Sequence, residues 1–317
     1  MKILVFGLKS AGKTCLIQNV LGGKSWKELK SINPTEFIDS KEYIYRGLLR
    51  INIFDLGGQE QFIKEYYKEE WINNIFSNCS AFYFVVDSSN IVHLTKAKEE
   101  FYKAIKCLKD YSKNECKKIT LVISKCDIGK KSPKEIKNFI FDHPNYEKSI
   151  ESINVSIPKN TARKNFGNSL NELIPENVKS KQEILNKICF DFNKKYKAQY
   201  SLILNKKDGL EIASAIDKNL ISKRLQEELE YTSLKALLYS EDEANIFKLL
   251  KDDKLISTNI MNFRLWQTSD NKNIIILHDF SEETGFFAVL KSENFHYDRL
   301  KSSMDVIKNK ITKVLNG

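Results

Sequence analysis

Eight residues near the start of the chain, Gly7-Leu8-Lys9-Ser10-Ala11-Gly12-Lys13-Thr14, have the G-x-x-x-x-G-K-[ST] spacing of a phosphate-binding loop. Gly7 and Gly12 allow the backbone to fold around an anion. Amides from Lys9 through Gly12, with those of Lys13, Thr14 and Cys15 at the head of the next helix, can then point at phosphate. Lys13 supplies a point charge to the outer phosphates, and the Thr14 hydroxyl is a Mg²⁺ ligand. A second set follows in Asp55-Leu56-Gly57-Gly58-Gln59-Glu60. Asp55 can hold Mg²⁺ through water, the Gly58 N–H can bond a terminal phosphate, and Gln59 can orient an attacking water. Between the two sets lies Ile32-Asn33-Pro34-Thr35-Glu36. There the Thr35 hydroxyl can reach Mg²⁺ and its N–H the γ-phosphate, contacts that exist only with a triphosphate bound. In Ser124-Lys125-Cys126-Asp127 the Asp127 carboxylate can accept both N1–H and the 2-amino group of guanine, a donor pair adenine lacks. The Lys125 stem can pack over the nucleotide, and Ser156 or Ile157 can offer a backbone N–H to the base.

These groups work only if strands and helices carry them to one place. Strand-like runs cover Ile3–Phe6, Tyr43–Leu48, Arg50–Phe54, Ala81–Val86, Ile119–Ser124 and Ile153–Ser156. Helical patterns cover Thr14–Leu21, Glu60–Phe76, Thr95–Leu108 and Lys134–Phe141. Alternation of the two predicts a doubly wound α/β unit, in which ligands bind at the carboxyl ends of the strands. The motifs fall at those ends.

A different pattern begins near residue 176. A lysine-rich helix is predicted over Glu176–Ala198, followed by a hairpin of Tyr200–Leu204 and Leu210–Ala213 around Lys207-Asp208-Gly209. A helical stretch over Lys218–Leu238, continuing toward Leu250, comes next. Strands follow at Met261–Thr268, Asn273–Asp279 and Gly285–Lys291, then a helix over Glu293–Leu315. His278, His296 and the Asp279/Glu282/Glu283 group read as surface and turn residues, not as a second active site.

At 317 residues the chain suggests two domains. Its net charge of +10 lies mostly in residues 1–176, but the lysines are spread along both halves, which reads as a solvated lysine-rich surface and predicts no nucleic-acid partner. The six cysteines have no metal-ligand spacing and predict free thiols in a reducing compartment. Met1–Gly7 already forms the first strand, so no signal peptide is predicted. With no apolar span and no lipidation motif, the expected location is cytoplasmic without a direct membrane anchor, any membrane recruitment coming through partners.

The ordered set GLKSAGKT, NPTE, DLGGQE, SKCD and VSI resembles the Ras-superfamily GTPases, most closely the Rag/Gtr branch. Asn33-Pro34-Thr35, Asp55-Leu56-Gly57-Gly58-Gln59, Asn73-Asn74-Ile75-Phe76 and Leu173-Ile174-Pro175 carry the closer likeness. The resemblance implies a P-loop GTPase domain over residues 1–176, with a mainly parallel six-stranded sheet. The order α-β-β-α-β-β-β-α, with Leu204–Ser214 as its best-matching piece, resembles an α+β roadblock/longin-like domain over residues 177–317. Together they imply a slow regulatory GTPase that binds GTP or GDP with Mg²⁺, held by Thr14, Thr35 and Asp55, with Gln59, Lys13 and Thr35 catalytic. Implied partners are a second copy or a related GTPase joined through the C-terminal domain, roadblock-domain scaffolds, and activating and exchange proteins. Two other readings are an Arf-like GTPase with an appended domain, and a nucleotide-bound scaffold that no longer hydrolyses. Two residues depart from the family pattern. Ser124 stands where Asn or His is usual, and its hydroxyl reaches less far. Lys9 replaces a small residue and either crowds Gln59 or adds a cation.

Overall fold

The computed structural model describes residues 1–112, 116–142, 150–206, 211–216, 263–267, 271–281 and 283–316. The expected Lys207-Asp208-Gly209 turn, the Lys218–Leu238 helix and its continuation, Met261, Asn262, Thr268 and Glu282 lie outside these residues. The chain divides into two compact units, Met1–Tyr45 with Arg50–Leu173, and Arg46–Leu49 with Ile174–Gly317.

The first unit holds strands β1 (Lys2–Phe6), β2 (Ile38–Tyr45), β3 (Leu49–Leu56), β4 (Cys79–Asp87), β5 (Lys118–Ser124) and β6 (Glu151–Asn154). They form one sheet in the order β2-β3-β1-β4-β5-β6. β1 runs parallel to β3 and to β4, and β4–β5 and β5–β6 are also parallel. Its helices are α1 (Lys13–Val20), α2 (Trp26–Leu29), α3 (Glu60–Tyr66), α4 (Glu69–Phe76), α5 (Leu94–Tyr111), α6 (Pro133–Ile140) and α7 (Thr161–Asn171). Ile3-Leu4-Val5-Phe6 is wholly buried, as a central parallel strand covered on both faces requires. Leu4, Phe6, Phe84 and Ile123 pack with residues of α3–α6, including Phe101 and Ile105. From the other face Tyr83 meets the Phe166 ring at 4.7 Å and the Ser169 hydroxyl at 3.1 Å, both on α7.

Local geometry corrects three sequence expectations. The second strand ends at Tyr45, not Leu48, because Arg46 (φ 50°) and Gly47 (φ 63°) make a tight turn with two left-handed residues. The expected Glu60–Phe76 helix is two helices, since Lys68 is extended (ψ 150°) and starts α4 anew. The break lets the Tyr67 ring stack on Phe76 at 6.2 Å while its hydroxyl donates to Glu100. Helix α7 was not anticipated between the sixth strand and Glu176.

The second unit contains α8 (Glu176–Tyr196), β7 (Ala198–Asn205), β8 (Glu211–Ile216), β9 (Phe263–Gln267), β10 (Asn273–Asp279), β11 (Thr284–Lys291) and α9 (Tyr297–Asn316). Its antiparallel sheet has the order β8-β7-β11-β10-β9. Leu185, Cys189 and Phe192 of α8 and Leu300, Met304 and Ile311 of α9 pack with Ile203, Ile276 and Phe286 of the sheet. Tyr200, Leu202 and Leu204 alternate with these positions and are buried with Leu277 and Phe287. No helix among the described residues is long and apolar enough to cross a membrane.

Candidate nucleotide and metal site

The phosphate loop leaves β1 at the center of the sheet, where the strand order reverses, and enters α1. Gly7 (φ +145°) crosses β4 so closely that an added Cβ would stand 2.2 Å from the Val85 carbonyl oxygen. Gly12 needs glycine for a different reason. It is left-handed (φ +89°), yet the space beside it is open. Ser10 is also left-handed at φ 62°. The Lys13 ammonium is buried and donates to the Gly7 and Leu8 carbonyls at 2.9 and 3.0 Å, which braces the loop from within. Burial lowers its pKa to about 8 despite the opposing attraction of Asp55. A phosphate brought to the loop would restore the charge that burial disfavours.

The carboxylate of Asp55, near the end of β3, gathers two hydroxyls from distant segments. Thr14 Oγ1 donates to Asp55 Oδ2 at 2.5 Å and Thr35 Oγ1 to the same oxygen at 3.0 Å, and the two hydroxyls stand 2.7 Å apart. Asp55 Oδ1 is buried without a hydrogen-bond partner among the described residues. Burial raises the Asp55 pKa, against the Thr14 hydrogen bond, the Lys13 charge and the Thr35 hydrogen bond. Three hard oxygen donors with one buried lone carboxylate oxygen fit the coordination preference of Mg²⁺.

Backbone contacts tie the Thr35 segment to the turn after β3. Gly57 N–H donates to Phe37 O at 2.6 Å, and the Tyr66 hydroxyl lies 2.6 Å from Phe37 O and 3.0 Å from Gly57 O. Phe37 itself is left-handed at φ 49°. Gly58 presses on the phosphate loop, where an added Cβ would meet Leu8 C at 2.3 Å and Lys9 N at 2.4 Å. The two segments that would sense the γ-phosphate are thereby joined to each other and to the loop. Tyr66 and Phe37 escaped the sequence reading, since nothing local marks the hydroxyl of one helical tyrosine as a link.

A cavity of about 620 Å³ runs along these groups. Lys9, Ser10, Gly12, Lys13, Thr14 and Cys15 line its phosphate end, with Thr35, Gly58 and Gln59 beside them. Ser124, Lys125, Asp127 and Ile157 line the other end. Gly7, Ala11 and Asp55 shape the site from behind without lining the cavity. The Ser124 hydroxyl donates to Ala11 O at 2.7 Å and also approaches Val86 O at 3.1 Å, so it fastens the phosphate loop to β5 despite its short reach. Lys125 (φ 56°) extends its ammonium to Asp87 Oδ2 at 2.6 Å, leaving its stem along the cavity. Asp87 is steadied by the Ser89 amide and hydroxyl.

Ser156 departs from the expectation. It is buried, does not line the cavity, and its N–H is committed to Thr161 Oγ1 at 2.8 Å, which leaves Ile157 as the lining residue of that pair. Trp26, Leu29 and Ile32 supply an apolar wall that the sequence reading missed. The capping-box pattern Ser25-x-x-Glu28 was the available signal, and Glu28 does accept from the Ser25 amide at 2.7 Å.

Comparison with known proteins bears on the family of the chain. The family model described as the Gtr1/RagA G protein conserved region matches residues 2–234. Ras-related GTP-binding protein A of Dictyostelium discoideum is 26% identical over 196 residues, covering 59% of this chain and 62% of that protein. GTP-binding protein GTR1 of Saccharomyces cerevisiae is 25% identical over 127 residues, 40% of each chain. ADP-ribosylation factor-like protein 3 of Caenorhabditis elegans is 30% identical over a shorter stretch of 90 residues, 28% of this chain and 44% of that protein. This chain thus spans less than two thirds of each relative's length. The Arf-like match is 90 residues long, whereas the Gtr1/RagA match runs over residues 2–234 and continues past the first unit. On that extent of matching, the chain belongs to the Gtr1/RagA family of G proteins.

Proposed function

We propose that the first unit, taken as a GTPase domain of residues 1–176, binds GTP and GDP with Mg²⁺ and hydrolyses GTP slowly to switch partner binding. The observation that carries this reading is the meeting of Thr14, Thr35 and Asp55 oxygens beside the phosphate loop. A bound Mg²⁺, held by Thr14, Thr35 and Asp55, would neutralise phosphate charge. Lys13 and the loop amides bind the phosphates and stabilise the charge that develops as the terminal group leaves. The Gly58 N–H and Thr35 N–H hold the γ-phosphate, and Gln59 orients the attacking water. Asp127 selects guanine by accepting its two donors, while the stem of Lys125 packs over the base.

The second unit, taken as residues 177–317, acts as a roadblock-like dimerisation domain that joins this chain to a second copy or a related GTPase. Its five-stranded antiparallel sheet with α8 and α9 packed on it supports this assignment. Roadblock scaffolds and the activating and exchange proteins would complete the set of partners, and a cytoplasmic protein of this kind would reach membranes through them.

Single-turnover phosphate release with GTP beside ATP tests the catalytic reading. Release from GTP alone, slowed in Gln59→Leu with GTP binding retained, is the expected result. GTP bound but never hydrolysed would make the chain a nucleotide-bound scaffold, and equal affinity for ATP would remove the role given to Asp127. Light scattering on the full chain beside residues 1–176 tests the assembly. A fragment that dimerises as well as the full chain would overturn it.

A further inference from the structure

Lys9 is the cation that bridges two neighbouring spaces. It lines the nucleotide cavity, and it also lines a second cavity of about 370 Å³ together with Gly58, Gln59, His93 and Lys96. Lys9, Gly58 and Gln59 are the residues common to both. The contact is intimate at the backbone, since a Cβ on Gly58 would fall 2.4 Å from Lys9 N. The side chain of Lys9 therefore starts beside the residue proposed to orient water, on the loop proposed to hold the phosphates.

The other cations nearby are paired, misplaced or already assigned. Lys13 serves the phosphates in the reading above and does not line the cavity beside Gln59. Lys125 is paired with Asp87, and Lys96 lies 2.7 Å from Glu60. Lys30 lines the nucleotide cavity but not the cavity beside Gln59. No arginine lines either space among the described residues. Lys9 is exposed and has neither an ion pair nor a side-chain hydrogen bond among the described residues. Its four-carbon stem is flexible, and its ammonium is a compact point charge able to follow a phosphate oxygen.

We propose that Lys9 is a catalytic residue acting in cis, its ammonium meeting a γ-phosphate oxygen as charge builds in the transition state. This rests on the GTPase reading above. It answers the question the sequence left open in favour of an added cation and against crowding of Gln59. A monodentate lysine supplies less than the about 10³–10⁵ that an inserted arginine gives. Loss of a single preorganised donor generally costs about 10²–10³, and an exposed flexible one falls below that, at about 10–100-fold.

Lys9→Met and Lys9→Arg separate charge from bulk. Single-turnover GTP hydrolysis should fall about 10–100-fold in Lys9→Met and stay within about threefold of wild type in Lys9→Arg. GDP affinity should change little in either variant. The affinity of the GDP–aluminium fluoride complex, which mimics the transition state, should fall in Lys9→Met by the same factor as the rate. A Lys9→Met protein that hydrolyses as fast as wild type, or faster, overturns the role of Lys9 while leaving the GTPase reading intact. A wild-type chain that binds GTP yet releases no phosphate overturns both.

Discussion

Gly58→Ala puts a methyl group where the structure has no room for it. The new Cβ would lie 2.3 Å from Leu8 C, 2.4 Å from Lys9 N and 2.5 Å from Leu8 O. Relief to an ordinary contact beyond 3.4 Å requires the two backbones to part by about 1 Å. The phosphate loop cannot give way easily, being held by the Lys13 ammonium beneath it and by the Ser124 hydroxyl at Ala11. The turn carrying Gly58 and Gln59 must move instead, and Gly57, bonded to Phe37, pulls on the Thr35 segment as it does. Overpacking of this size costs about 1–3 kcal/mol. The cost falls on the closed arrangement, so the preference for triphosphate over diphosphate should drop by about 5–150-fold. Displacement of a fluorescent nucleotide by GDP and by a non-hydrolysable GTP analogue measures that ratio, and single-turnover hydrolysis should slow with it. If Gly58→Ala keeps the wild-type ratio and rate, the loop and the turn do not close upon each other when nucleotide is bound, and the coupling described here is wrong.

Lys13 gives a pH dependence with a definite sign. Its pKa is about 8 in the folded protein against an ordinary 10.5 for a free lysine, so between these values the unfolded chain holds more protons and stability rises with pH. Nucleotide-free protein should gain about 2 kcal/mol between roughly pH 7.5 and 9.5 relative to Lys13→Met, as read by urea unfolding. An equal slope in both proteins would show that Lys13 is not desolvated. Asp127→Asn should turn preference from guanine toward xanthine nucleotides by exchanging acceptor for donor, as competition binding would report. Unchanged selectivity would mean that another residue reads the base. Ser124→Ala should weaken both GDP and GTP by a similar factor of about 5–10, because its hydroxyl holds the loop and not the base, and one buried hydrogen bond is worth about 1 kcal/mol. A loss confined to guanine over inosine nucleotides would refute that placement.

Much of the site was legible because its signals are local. The loop from Gly7 to Thr14 carries its own glycines, lysine and hydroxyl within eight residues, and the strand before it is fixed by four buried apolar residues. Asp55 near the end of β3 and Ser124 at the end of β5 were legible because apolar runs give way to polar residues there. Errors arose where a tertiary contact overrode a local pattern. The stretch Glu60–Phe76 reads as one helix, but Tyr66 and Tyr67 each have a hydroxyl partner elsewhere, and the chain breaks to serve both. Ser156 looked free to meet a base until α7 brought Thr161 to its N–H.

By itself the sequence determined that a phosphate loop sits between a buried strand and a helix, since spacing along the chain is enough to build an anion nest. It also fixed the order of the residues proposed to hold metal, water and base. Whether those residues meet was decided only in three dimensions. Thr14, Thr35 and Asp55 belong to a helix, a loop and a strand, and they converge because β1 and β3 pair in parallel and Gly57 anchors the loop at Phe37. The buried Asp55 Oδ1, without a partner among the described residues, is likewise a product of packing, which removes water from a carboxylate. Covalent spacing fixes a loop of eight residues; bringing together groups tens of residues apart takes the burial of a whole sheet, because only that offsets the entropy of holding them in place.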